Sequence, residues 1–591
     1  MEAWSTAAHA RFAPHDRAGI AAFVGAMQHL RVVRFGDAAL AGVLPPRVLS
    51  FISREWFAAV DDATPTPGSS GLTTLCRAAR EGNARAVEWL VAQGASPLGE
   101  AGSPLPLHCA AQCGRARCAV ELLAAGAAER IDARDGAGRT ALWSAVAEDQ
   151  LVTVQLLHAW GAALEARSAT GATPLHAAAA RGSAHGVQLL LRLGADPLAL
   201  DGGGESAFFK VCRAGHVECA ALLCAASAKA PSGGGRTVET LPDQHGATPL
   251  HAAAEAGRYA MVRLLLDARA RGVTPHCTDV DGALPLHHAA RGVRSAAMRA
   301  LLIAAGERAG AQASAADACG LTPMHYLARG VALASGALEL TTSKLTAVQP
   351  DEALLCFEVL LSAGARVGCA AAADGITTLH YAAIAGHAAL LRALLRAQPL
   401  LGRARDAKGR SPLFYACRAG GAESVRDLIA AGVLEHSATS PVGAESPLCQ
   451  AATAGSLDAL RALLRVAGGA LPARLEADDA LDAKLAAGFE ALLPTTTTMT
   501  STVLTRRRET IDWAVVAAAH GGHVRCLELL LRCPDASVFA QSVDGATALQ
   551  LAAQQRRRAC VALLLDAGAG VGERSDARMR ARFVPTRGGK G

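Results

Sequence analysis

The strongest constraint on this chain is that it repeats itself. Residues 171–196 read GATPLHAAAARGSAHGVQLLLRLGAD, and residues 246–267 read GATPLHAAAEAGRYAMVRLLLD. The same frame returns as GALPLHHAARG from Gly282, GLTPMHYLARG from Gly320, GITTLHYAAIAGH from Gly375, GRSPLFYACRAG from Gly409 and GATALQLAA from Gly545. Weaker copies start at Gly71, Gly102, Gly138, Gly204 and Gly443, and around Ile511, which makes thirteen units over roughly residues 71–571. Measured from the leucine of each TPLH-like segment, Leu142 to Leu175 and Leu175 to Phe208 are both 33 residues, and Leu379 to Leu413 is 34. One TPLH is an accident; a run of them in phase is an architecture.

Each unit carries its own folding instructions. A glycine ends a turn and tolerates positive φ, and a threonine follows that caps a first helix. Proline comes next, at a first-turn position where its missing N–H costs nothing. A small pair such as Ala178 and Ala179 lets neighbouring helices approach closely. Gly182 turns the chain into a second helix, whose Val187, Leu189 and Leu190 fall at helical spacing, and Gly194 with Ala195 ends it. A unit this short has a face it cannot bury alone, so units must stack into a continuous core.

On these motifs the chain resembles the ankyrin-repeat family, whose period is 33 residues. The resemblance implies an all-α-dominated solenoid with short β-hairpin fingers, and a function of holding partner proteins on its concave surface. In that family the TPLH histidine links neighbouring units by hydrogen bonds to backbone. His108, His176, His251, His287, His325 and His380 are therefore expected to be structural. A metal ladder is excluded by distance, since stacked layers are separated by roughly 10 Å and metal ligands stand about 2 Å from the ion. Asp135, Asp201, Asp243, Asp279, Asp317 and Asp406 each lie three residues before a repeat glycine. That spacing fits a turn in which aspartate hydrogen-bonds its own backbone. As a row along the fingers, Asp279, Asp317 and Asp406 are also candidate partner contacts.

The residues after the small pair on the first helix face the groove in this family, and Arg80, Arg181, Arg213, Arg291 and Arg418 lie there. An arginine-dotted groove beside acidic fingers suits a polar, acidic peptide partner; generic surface charge is the alternative. Tyr326, Tyr381 and Tyr415 follow the histidine position in three consecutive units, with His288 in the same place one unit earlier. Packing between first helices is favoured over a binding role for them.

The period breaks in three places. Phe208 to Leu250 is 42 residues, Met324 to Leu379 is 55 and Leu448 to Val515 is 67. The insertions fall near 230–243, 331–350 and 466–508 and read as mobile loops, the last containing Thr495–Thr498 and Arg506–Arg508 and room for an eroded unit. Residues 1–60 lie outside the repeat and read as helices, with a linker over 61–70. Two readings stand for this segment: a helical cap on the first unit, or a stretch similar to the start of an F-box, carried by Leu44 to Leu49, Ile52 and Trp56. The second would make the chain a ubiquitin-ligase substrate receptor. Residues 572–591 form a basic, glycine-rich tail, expected to be disordered.

Composition narrows the function further. A net charge of +6 spread over 591 residues is too diffuse for nucleic-acid binding. The 16 cysteines never form a CxxC pair and fit buried thiols in a reducing compartment. His108, Cys109, Cys113 and Cys118 approach a zinc cluster but fit the repeat without metal. No phosphate-binding loop, GxSxG or HExxH is present, so no enzyme and no cofactor is expected. With no long apolar stretch and no signal peptide, the expectation is a monomeric intracellular protein, cytoplasmic or nuclear.

Overall fold

A computed structural model describes residues 73–99, 105–228, 237–267, 272–335, 350–371, 374–431, 446–466, 501–533, 536–542 and 544–569. Both readings of residues 1–60 lie outside these residues, as do the linker, the basic tail and most of the three insertions. The chain divides into two compact units, the first comprising Met1–Ala253 with Asp267–Val273 and the second Ala254–Leu266 with Thr274–Gly591.

Within each unit the chain runs as pairs of short helices. In the first unit Pro174–Arg181 pairs with Ala184–Leu193, and in the second Pro412–Arg418 pairs with Ala422–Ala430. Helices of two turns are marginal by themselves in water, so stacking supplies their stability. Inner helices pack on inner helices: Thr74–Glu81 on Pro106–Gln112, and Pro285–Arg291 on Pro323–Ala334. The sixth inner-helix residue is the tightest point. In the first unit Ala79, Ala111, Ala179 and Cys212 are all fully buried there. The outer helices bring the bulk, with Leu122, Leu157, Leu190 and Leu223 fully buried, each worth roughly 1.5–3 kcal/mol.

The turn between the two helices of a pair needs a left-handed residue. Gly182 fills it at φ 83°, and a Cβ added there would stand 2.5 Å from the His216 ring. Asp149, Val293 and Arg556 occupy the same place in other pairs with φ between 55° and 60°, against the preference of L residues.

The expected β-hairpin fingers are not formed as strands among the described residues. They are tight turns with isolated bridges at Leu200–Ser206, Ala370–Thr377 and Gln541–Thr547. Too few residues flank each turn for a ladder. Successive turns are stitched by single backbone bonds instead, such as Gly202 N–H to Thr170 O (3.0 Å) in the first unit and Ala407 N–H to Asp374 O (2.8 Å) in the second.

Two stretches read as inserted loops are partly helical. The inner helix Pro323–Ala334 runs an extra turn into the second insertion, where apolar Val331 and Ala332 are buried. The helix Ser501–Gly521 begins inside the third, so Arg506–Arg508 lie on a helix. In both, a core-facing helix is prolonged, in the first case through the buried Gly330.

Candidate interaction surface

The histidine after each Leu has a geometry that assigns its role. His176 Nδ1 accepts from the Thr173 backbone N–H (3.3 Å) and hydroxyl (2.8 Å), which leaves the proton on Nε2 to be donated to Glu205 O of the next pair (2.9 Å). His380 repeats this with Thr377 and Arg410 O, and His287 bonds Ala315 O. His251 has the same threonine contact at 2.9 Å. His108 bonds Arg139 O at 2.8 Å while its Nδ1 meets no donor among the described residues. Where the histidine is absent, the hydroxyl caps the helix: Thr140 accepts from Trp143 N–H, and Ser411 from Phe414 N–H. Burial lowers the pKa of His287, His325 and His380 to about 4, and the neutral rings of His287 and His380 donate from Nε2 to backbone oxygens.

The aspartates face inward. Asp317 Oδ1 accepts from Cys319 and Leu321 N–H (2.9 and 2.7 Å), and Asp406 Oδ1 from Lys408 and Arg410 N–H (2.9 and 2.8 Å). The second oxygen reaches the fourth inner-helix residue: Tyr326 donates to Asp317 (2.8 Å), Tyr415 to Asp406 (2.7 Å), and His288 Nε2 stands 2.9 Å from Asp279. In the first unit Lys210 takes this role beside Asp201 at 2.7 Å. Asp317 and Asp406 are buried. The oxygens of Asp279, Asp317 and Asp406, expected along the fingers, are engaged in holding turn to helix. Tyr326 and Tyr415 are likewise packed residues, and burial reinforced by the aspartate holds their phenols above the ordinary value, Tyr415 at about 12.

Since the fourth inner-helix residue points to the turn, the seventh, three further on, shares its face. Here the sequence is not held to one residue type. The first unit has Arg80, Gln112, Ala147, Ala180 and Arg213; the second has Glu255, Arg291, Arg329, Ile384 and Arg418 in succession. Three of the five expected arginines are already neutralised. Arg181 pairs with Glu148 (3.1 Å) of the preceding pair and with Ala147 O, Arg213 with Glu205, and Arg291 with Glu255 (2.7 Å). Burial pushes the Glu255 carboxyl up, but His288 and Arg291 outweigh it and hold its pKa at about 2. Arg80 and Arg418 are exposed and make no ion pair among the described residues. Arg329, preceded by Leu327 and Ala328 in place of an alanine pair, is half-buried and makes no ion pair among the described residues.

The cysteine group does not assemble into a metal centre. Cys109 hydrogen-bonds the Cys76 thiol of the preceding pair, Cys118 is buried on the outer helix, and no set of three His, Cys, Asp or Glu side chains among the described residues is placed to hold an ion. All 16 cysteines are free thiols. No described helix is long and apolar enough to cross a membrane.

The family described as ankyrin repeats (3 copies) matches residues 75–168, 107–201, 175–279, 345–439 and 504–575. A comparison with curated proteins finds no match.

Proposed function

The chain belongs to the ankyrin-repeat family, and from that premise we propose that it is a scaffold or adaptor that holds partner proteins along the face made by its inner helices and turns. Ankyrin repeats mediate protein–protein interaction, and stacked repeats use extended surfaces for it. One observation carries the reading. The buried columns of the inner helices use nearly one residue type from pair to pair, whereas the seventh position, on the turn-facing side, runs through Arg, Gln, Ala, Glu and Ile. The fold constrains the first set and leaves the second open for recognition. On this reading the chain needs no cofactor and catalyses nothing, acts as a monomer, and works in a reducing compartment inside the cell.

The test is co-purification with the full chain carrying Arg80→Glu, Arg329→Glu and Arg418→Glu, against a control carrying Arg192→Glu and Arg263→Glu on exposed outer-helix positions. The scaffold reading expects partners to be lost from the first and kept by the second. Loss from the outer-helix variant alone would sink it.

A further inference from the structure

In the second unit, one of the three inner-helix tyrosines lacks the lock between turn and helix that the other two make. The turn before the helix Thr378–Ile384 is one residue longer than its neighbours: Ala371 N–H bonds Ile376 O five residues on, whereas Asp406 N–H bonds Arg410 O four residues on. The position that holds Asp317 and Asp406 elsewhere is occupied by Ala371. Tyr381, the counterpart of Tyr326 and Tyr415, therefore finds no carboxylate for its hydroxyl among the described residues. Its ring packs edge-on to His325 at 6.5 Å between centroids, and it is half-buried where Tyr326 and Tyr415 are buried. Burial raises its pKa and the nearby Arg329 guanidinium opposes the rise, while Asp374 and Asp317 act on it only through space.

Around it the exposed column is cationic and apolar. Arg329 lies on the inner helix packed against Thr378–Ile384, Ile384 is half-buried at the seventh position of that helix, and Arg418 is exposed at the seventh position of the next. Neither arginine has an ion pair among the described residues, although Arg291, one pair earlier, is answered by Glu255 at 2.7 Å. We propose that Arg329, Tyr381, Ile384 and Arg418 form a subsite for an extended acidic segment of a partner protein. One carboxylate engages Arg329 and the Tyr381 hydroxyl, an aliphatic side chain rests on Ile384, and a second carboxylate engages Arg418. This deepens the scaffold reading and rests on it. Arginine suits the role, because its planar fork meets a carboxylate in two parallel bonds. The spacing follows from packing: two helix layers at about 8–10 Å each separate the arginines, and extended chain advances about 3.3 Å per residue. The two acids accordingly stand about five or six residues apart, with the aliphatic residue midway.

The probe is a displayed library of random twelve-residue peptides panned on the full chain. Enrichment of segments with that acid–aliphatic–acid spacing is expected, with retention falling at least about tenfold on Arg329→Glu with Arg418→Glu and severalfold on Tyr381→Phe, and unchanged on Arg192→Glu. Circular dichroism of each variant controls for folding, and Tyr381→Phe removes a hydroxyl that no described group answers. Enriched peptides that lack the acid pair, or that stay bound to the double arginine variant, overturn the subsite; if their binding then fails on Arg80→Glu, the scaffold reading stands without it. Absence of any enriched peptide counts against both.

Discussion

Tyr326 donates its phenolic hydrogen to Asp317 across 2.8 Å, and by that bond an inner helix is fastened to the turn nine residues before it. Tyr415 and Asp406 do the same at 2.7 Å, and the turn aspartate is thereby made a structural group with no oxygen to spare.

Removing that donor strands a buried oxygen of Asp317, whereas Asp406 Oδ2 keeps its bond from Arg410 Nε at 3.2 Å. Tyr326→Phe and Tyr415→Phe are each expected to cost about 1.5–3 kcal/mol, the range for a hydrogen bond to a charged group. Tyr381→Phe, with no such partner, is expected to stay within about 0.5 kcal/mol. Hydrogen exchange of the adjacent inner helices reads the difference locally, which suits an array that need not unfold in one step. Equal effects at all three tyrosines would contradict the assignment.

The buried histidines make stability depend on acid. The folded-state pKa of His287, His325 and His380 is about 4, below the unfolded value of 6.5. Between those values the unfolded chain binds protons that the folded chain refuses. Stability is therefore complete above pH 6.5 and falls as pH drops toward 4, by up to about 3 kcal/mol per histidine. Urea titrations across this window should show the slope, and His380→Gln should flatten it.

His288 carries the opposite sign. Burial depresses it, but its hydrogen bonds to Asp279 and Glu255 outweigh burial and raise its pKa above 6.5. Its contribution is complete below pH 6.5 and is lost as pH rises through the folded value. His288→Tyr copies the neighbouring Tyr326 arrangement and should hold the turn at all pH values. Exchange protection in Pro285–Arg291 that declines with rising pH in the parent chain and not in the variant is the expected result.

Two substitutions test the left-handed turns. Gly171 has φ 76°, and an added Cβ would stand 2.4 Å from the Gly202 backbone nitrogen. Gly171→Ala should cost at least about 1–2 kcal/mol, because the following turn must move as well. Arg556 is exposed at φ 57°, so Arg556→Gly should stabilise the last described pair by about 1 kcal/mol. Thermal shifts of opposite sign would check both.

Much of this molecule is legible residue by residue. The period, the paired helices, the buried small and leucine columns and the structural histidines follow from patterns that span a few residues, and caps and left-handed glycines act within a single turn of chain. The sequence-level expectation of β-hairpin fingers went further than the chain does, since the segments around each turn are too short for a ladder. Of the candidate contacts, Arg181, Arg213 and Arg291 are ion-paired in the fold, and Arg329 was hidden by Leu327 standing where alanine is usual.

What tertiary structure alone decided is which polar groups are answered. Arg181 and Glu148 are 33 residues apart, Arg291 and Glu255 36, so their pairing depends on the stacking of one repeat on the next. The same holds for the single extra residue before Gly375. In the sequence it is a one-place shift; in the fold it puts Ala371 where an aspartate stands elsewhere and leaves the Tyr381 phenol without a carboxylate among the described residues. Local pattern determines the backbone of such an array because each unit is built from short-range bonds. Satisfaction of charge is a property of neighbours, and only the stacked structure brings the neighbours together.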